Sequence, residues 1–450
     1  MQEARVLVSM VKDKRGCYIS SYPLGLLIKG ARLRNWEGMY DVLIEDSTIS
    51  EISPEIKNSD SDIIEARGRI LMPSFTDMHF HLDSALTQGL FSGNKSGTLL
   101  EGIEIWSQLK RRLTTEDIFN RASRAVKFIV SNGTTRLRTH ADVSDPELRT
   151  LKALKLVKEE FKDIIDIQIT AFPQDGIFTN KNNSELLEKA VEEGADNIGI
   201  IPHNEFTRED GIRSIDFAFD LAKKYGRNID GHVDETDDEQ SRFLEVLAAK
   251  TIREGYQGKV AAGHVTAMHS YGGSYMQKII GMLKLGRITI VANPLVNIHL
   301  QGRYDSYPKR RGIARIKQLL AEGINVTLGH DCIMDPWYPM GKGDMLQALF
   351  MAVHLEQMTG IDEIKKSFDL ITSNPAIALG VSSSYGIQKG RLADLVLLDA
   401  KDEVGALAKL LPPLLVIKSG RIVARRNELI TSILHKSREE ELPKDIIETP

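Results

Sequence analysis

Residues 69–83 read RILMPSFTDMHFHLD. An apolar run leads into two histidines, His79 and His81, two positions apart. On a strand, side chains at i and i+2 share a face, so both imidazoles can reach one ion. The stretch reads as a strand over 69–81 that carries a ligand pair at its C-terminal end. Seven more apolar strands follow: TTRLRTHAD (134–142), IDIQITAF (165–172), NIGIIPH (197–203), NIDGHVDE (228–235), KVAAGHVTA (259–267), ITIVANPLV (288–296) and INVTLGHD (324–331). Between them lie stretches such as SELLEKAVEEGAD and DFAFDLAKKYG, whose apolar residues recur every three or four positions and whose ends carry Gly, the signature of amphipathic helices. Eight alternating units of this kind predict an α/β fold, a (β/α)8 TIM barrel in preference to an open doubly wound sheet.

Outside the barrel, LLIKGARL and YDVLIEDSTISEIS near the start, and LADLVLLDA and PLLVIKSGRIVARR near the end, read as short alternating strands. None can bury an apolar face alone, so they are expected to pair into a small β-sandwich domain built from both chain ends. The expected organisation is an N-terminal extension (1–23), a composite β-domain (24–70 and 384–426), the catalytic barrel (71–383) and a C-terminal tail (427–450) draped on the surface or mobile.

The composition narrows the function. A formal net charge of −4 supplies no basic field for nucleic acid or an anionic membrane, which leaves a small, uncharged molecule as the expected partner. Two cysteines far apart, Cys17 and Cys332, indicate no disulfide framework and fit a reducing cytoplasm. No apolar stretch approaches a membrane span, and the N-terminus carries too many charges for a signal peptide.

Barrel chemistry sits at the C-terminal ends of the strands, where this chain collects its ionisable residues. His79 and His81 end strand 1, His232 and Glu235 strand 5, His264 strand 6 and Asp331 strand 8. A single histidine beside a strand is ordinarily a satisfied polar residue, but that explanation would have to hold at several strand ends at once. Imidazoles with one carboxylate suit Zn²⁺ or Fe²⁺, whereas Mg²⁺ or Ca²⁺ would want more oxygen. Such an ion lowers the pKa of bound water to about 7 and yields a hydroxide nucleophile. Strand 4 ends in IIPHNEF without a lysine, so one metal is expected rather than two bridged by a carboxylated lysine. Glu235, three residues beyond His232, is placed to shuttle protons.

Longer blocks carry a resemblance. HFHLD (79–83), SGTLLEGIEIW (96–106), RTHADVSD (138–145), AFPQDGI (171–177), PHNEFTRE (202–209), HVDETDDEQSRF (232–243), GHVTAMHSY (263–271), NPLVNIHLQGRYDSYPKRRGI (293–313) and GHDCIMDPWYPMGKGDML (329–346) resemble the bacterial cytosine deaminases of the amidohydrolase superfamily in content and order. The likeness runs from about residue 69 to 380 and is weaker in the β-domain. It separates the chain from the small zinc deaminases of the cytidine type, whose PCxxC motif is absent.

The resemblance implies metal ligation by His79, His81, His232 and Asp331, with one Fe²⁺ as first choice and Zn²⁺ as the alternative. It implies that His264 holds and polarises the attacking water and that Glu235 protonates the ring nitrogen beside the amino-bearing carbon. Asp331 would also take the water's proton and help deliver it to departing ammonia. Gln174 would bind the carbonyl and ring NH edge of a pyrimidine, and Trp337 would wall the pocket. SGTLLEGIEIW reads as structural, resembling a stretch used in subunit association, and NIHLQGRYDSYPKRRG as a structured loop near strand 7. A homo-oligomer, a hexamer, is implied as well.

One position departs from the family pattern. After the aspartate ligand, the best-known bacterial cytosine deaminases place a second aspartate near C5 of the ring; this chain has Cys332. A thiol is smaller, less polar and uncharged at neutral pH unless its surroundings lower its pKa. Space beside C5 favours a substituent, so 5-methylcytosine stands beside cytosine as the expected substrate. The alternatives are deamination of another aminated ring, such as isoguanine or a pterin, and hydrolysis of a cyclic amide on the same barrel. A non-catalytic scaffold would be expected to lack a ligand, and none is missing.

Overall fold

The computed structural model describes residues 25–57 and 60–427, and the backbone of two short hairpins outside them. Eight parallel strands lie side by side in sequence order: strand 1 Phe75–Phe80, strand 2 Thr134–Asp142, strand 3 Asp166–Phe172, strand 4 Asn197–Ile200, strand 5 Asn228–Val233, strand 6 Val260–His264, strand 7 Thr289–Ala292 and strand 8 Val326–Leu328. Each is followed by at least one helix, as the sequence pattern requires. Strand 8 returns to strand 1 through a parallel bridge between Phe80 and Asp331, and the barrel closes.

Local chemistry sets the helix boundaries. Thr114 and Asp117 form a capping box at the start of helix Thr115–Ser131, each satisfying a backbone N–H of the other. Helix Arg208–Tyr225 begins on Thr207, whose hydroxyl accepts from the Asp210 N–H, and ends on Gly226 in the left-handed region at φ 64°. Strand 2 is buried at all nine positions, including Arg136, Arg138 and His140, because its inward face meets the barrel interior and its outward face meets helices.

The small domain is one mixed sheet that draws on both chain ends, in the order Arg421–Arg425, Leu415–Lys418, Leu395–Leu397, Ile70–Pro73, Gly25–Leu33, Tyr40–Glu45, Thr48–Ser53, with Asp62–Glu65 also pairing on Gly25–Leu33. Its own core includes Ile28, Val42, Ile44, Leu71, Leu395 and Ile417. This corrects the expected single strand over 69–81. Ile70–Pro73 pairs with Leu395–Leu397, and only Phe75–Phe80 belongs to the barrel. The change falls at Ser74, whose N–H donates to the Asp394 carbonyl while the next N–H, from Phe75, donates to Gly133. Pro73 is still paired with Leu395, so the exchange of partners comes between the Ser74 and Phe75 N–H groups.

A buried charge cluster ties the two parts together. Asp394 accepts from Arg136 at 2.5 Å, from Lys418 at 2.9 Å and from the Ser419 backbone N–H at 2.7 Å. The described residues of the expected extension and tail lying beyond the two sheets are antiparallel hairpins, Met10–Lys12 with Tyr18–Ser20 and Ser432–His435 with Arg438–Glu441. Other residues of those two segments, Cys17 among them, lie outside the described residues. Among the described residues, no helix is long and apolar enough to cross a membrane.

Candidate active site

Strand 1 delivers His79 from its last turn of pleat and His81 just past its end, and the two rings stand 5.5 Å apart. Strand 5 contributes His232 and strand 6 His264. Asp331 follows strand 8 with a left-handed backbone, φ 72°, and His264 also has φ 66° with Val265 at 48° after it. Side chains rarely tolerate this region, a β-branched valine least of all, and such strain is typical where a fold holds functional groups in place.

The donor atoms converge. His81 Nε2 and His232 Nε2 are 3.1 Å apart, and Asp331 Oδ1 lies 3.7 Å from both His79 Nε2 and His81 Nε2. Donors held about 2.0–2.2 Å from a shared ion stand roughly 3.0–3.5 Å from one another; the 3.1 Å pair has that spacing and the two 3.7 Å pairs exceed it slightly, close enough for one ion to draw them in. Burial, and then the neighbouring imidazoles, hold His79, His81 and His232 well below the usual histidine range, which leaves them neutral with lone pairs to give. Burial pushes Asp331 up to about 7, a cost that a cation beside it removes. Its Oδ2 has no hydrogen-bond partner among the described residues. Ligand atoms of His79, His81 and His232, and of His79, His264 and Asp331, thus form two overlapping groups able to hold a metal.

Glu235 Oε1 lies 3.1 Å from His264 Nδ1. Burial pulls His264 down, but the Glu235 charge raises it above the ordinary value overall; a cation nearby works against that extra proton. A cavity of about 420 Å³ opens above the group. His81, His232, Glu235, His264, Asp331, Gln174, Cys332 and Trp337 all line it, whereas His79 lies fully buried behind. Cys332 donates its S–H to Asp331 Oδ1 at 3.4 Å. Burial, with Asp331 and Asp335 close by, pushes that thiol well up and keeps it neutral.

Several neighbours are not singled out by the sequence reading. His140, on strand 2, is wholly buried, 4.2 Å from the His79 ring and 4.7 Å from the His232 ring, with its Nε2 3.5 Å from Asp230 Oδ2. The signal was available, since His140 sits near a strand end like the others. His203, beyond strand 4, lines the cavity with Nδ1 buried and unpartnered among the described residues. The segment 96–106, read as structural, becomes helix Leu99–Leu109 and puts Leu99, Leu100 and Ile103 on the cavity wall. Its Gly102 packs so tightly on the indole that a Cβ there would lie 2.5 Å from Trp337 Cδ1. The loop after strand 7 is held from within, Arg310 pairing with Asp305 at 2.7 Å and donating to the Asp237 carbonyl at 2.6 Å.

Known proteins align over this whole arrangement. The model of the amidohydrolase family matches residues 62–424. A crystal structure of 5-methylcytosine deaminase from Klebsiella pneumoniae liganded with 5-fluorocytosine superposes with a TM-score of 0.87 at 43% identity, covering 90% of this chain and 98% of that one. N-isopropylammelide isopropyl amidohydrolase of Pseudomonas sp. (strain ADP) is 31% identical over 90% of this chain and 98% of its own. Pterin deaminase of Rhizobium rhizogenes is 27% identical over 86% of this chain and 88% of its own.

Proposed function

We propose that this chain, which belongs to the amidohydrolase family, is a hydrolytic deaminase converting cytosine or, better, a 5-substituted cytosine such as 5-methylcytosine to uracil or thymine and ammonia. The observation that carries this reading is the meeting of His79, His81, His232 and Asp331 at the inner end of a cavity whose walls hold Glu235, Gln174 and Cys332. The likeness to a 5-methylcytosine deaminase supports the choice of ring.

His79, His81, His232 and Asp331 would hold the ion, Fe²⁺ first and Zn²⁺ second, since neutral imidazoles and one carboxylate suit either. When bound, a divalent ion would lower the pKa of a water beside it to about 7. Gln174 grips the carbonyl and ring NH edge and so presents the amino-bearing carbon to the attacking water. His264 holds that water. Asp331 takes its proton as the oxygen adds to the carbon, and Glu235 protonates the adjacent ring nitrogen so that negative charge does not build on the ring. The proton on Asp331 then leaves with the amino group as ammonia, and the hydroxyl proton left on that carbon passes to Glu235 as the carbonyl forms, which restores both carboxyl groups. The neutral Cys332 thiol, beside Asp331, leaves an uncharged wall for a substituent at C5. A methyl in a fitted pocket contributes about 1–3 kcal/mol, so the preference over cytosine is moderate. We place the enzyme in the cytoplasm, as a homo-oligomer.

The test is ammonia release from a panel of free bases with apo and metal-reconstituted enzyme, followed by kcat/KM for cytosine and 5-methylcytosine side by side. Release from a pterin or isoguanine but from neither pyrimidine would replace the substrate assignment. Ring opening without ammonia would replace the reaction.

A further inference from the structure

The segment Asn293-Pro-Leu-Val-Asn297 begins the short helix Pro294–Leu300 after strand 7, and its two asparagines are one helical turn apart. Both are fully buried, out of reach of bulk water. The Asn297 amide cannot turn freely. Its Oδ1 accepts from the Asn293 backbone N–H at 3.3 Å, which leaves Nδ2 facing His264 Nδ1 at 2.9 Å. An amide NH₂ can only donate, so His264 Nδ1 must accept. In a neutral imidazole whose Nδ1 accepts, the proton is on Nε2. Asn293 does not compete for that plane: its Nδ2 lies 3.3 Å from Nδ1 and 3.2 Å from Nε2, a position over the ring face.

The consequence lies at Nε2, which is 3.2 Å from His79 Nε2 and 3.9 Å from Asp331 Oδ2. By position His264 belongs to one of the two candidate metal groups. The geometry points to Asn297 as a positioning residue that keeps the proton of His264 on Nε2, so that the ring cannot ligate through that nitrogen and instead offers an N–H donor to the attacking oxygen. This rests on the proposed role of His264 in holding water. Glu235 Oε1 lies 3.1 Å from the same Nδ1. As a carboxylate it pulls the other way, and the oriented amide opposes it.

Zn²⁺-loaded enzyme labelled with [¹⁵N]histidine gives the direct readout, with the His264 signals identified by their loss in His264→Gln. The wild-type spectrum is expected to show Nε2 protonated and Nδ1 bare; a protonated Nδ1 overturns the proposal, whatever the substrate proves to be. In Asn297→Asp the carboxylate draws the proton to Nδ1 and frees the Nε2 lone pair. The expected result is a kcat lower by about a hundredfold, KM little changed, and Zn²⁺ released to a chelator more slowly because a further ligand has been gained. An Asn297→Asp enzyme with wild-type kcat and an Nδ1-protonated His264 would also overturn it. The wild-type spectrum decides the tautomer even if that variant does not fold, and failure of the pyrimidine assignment would appear in the base panel and not in this spectrum.

Discussion

The backbone N–H of Asp331 donates to the carbonyl of His79 at 2.9 Å, and the His81 N–H donates back to the Asp331 carbonyl at 2.9 Å. The rungs that close the barrel are therefore made by residues whose side chains form the candidate metal group. Closure of the barrel and assembly of the site are one event.

Gly329 makes that closure possible. A Cβ there would lie 2.5 Å from His79 Cβ and 2.8 Å from the His79 carbonyl oxygen. Gly329→Ala is expected to lose about 1–3 kcal/mol, the usual range for overpacking, and to lose bound metal along with activity. Thermal melting with metal analysis of the purified variant checks both; a variant that melts lower yet keeps its full metal content would separate closure from site assembly.

Removal of the ion should be felt by the fold as well as by the reaction. A ligand present at a thousand times its Kd stabilises by about 4 kcal/mol, so dialysis against a chelator is expected to lower the melting temperature and abolish turnover, and Fe²⁺ or Zn²⁺ to restore both. His232→Ala is expected to melt like the stripped protein and to show no response to added metal.

Selectivity at C5 is expected to follow position 332. Cys332→Asp puts a carboxylate where a neutral thiol now stands beside Asp331, and it should shift the kcat/KM ratio toward cytosine by about ten- to a hundredfold, the worth of a methyl contact. An unchanged ratio for the two bases would refute the steric account.

Helix Leu99–Leu109 should report on the pocket through one atom. In an ordinary helix Gly→Ala stabilises by about 0.5–1 kcal/mol, but at Gly102 the new Cβ would press on Trp337. Gly102→Ala is expected to destabilise and to raise KM more than it lowers kcat, since Trp337 walls the cavity and carries no proton in the reaction. Steady-state kinetics and a melting curve distinguish this from the ordinary helical gain.

At the other end of the barrel, Asp394→Asn leaves Arg136 and Lys418 buried with one fewer counter-charge. Breaking a buried pair costs about 3–5 kcal/mol, and the lower end is expected because Asp166 still reaches Lys418. Urea unfolding should show the loss, while kcat/KM at room temperature stays at the wild-type value because no group in the cavity is touched.

Much of this molecule was determined by its sequence alone. The eight strands, the helices between them and the strand ends bearing His79, His81, His232, His264 and Asp331 are local facts, because apolar periodicity and turn chemistry act over a few residues. Gln174, Cys332 and Trp337 are legible through the family blocks around them, and the fold brings all three to the cavity. Tertiary structure decided the rest. The break at Ser74 depends on Asp394, some three hundred residues away, and no local pattern reports that pairing. His140 and Asp230 meet only across the barrel interior. Gly102 is an unremarked helix residue until Trp337 is laid against it. Asn297 acts through a hydrogen bond to a ring on another strand, and the nitrogen on which that ring carries its proton is settled by three-dimensional geometry, because a hydrogen bond depends on which atoms face one another and not on how far apart they stand in the chain.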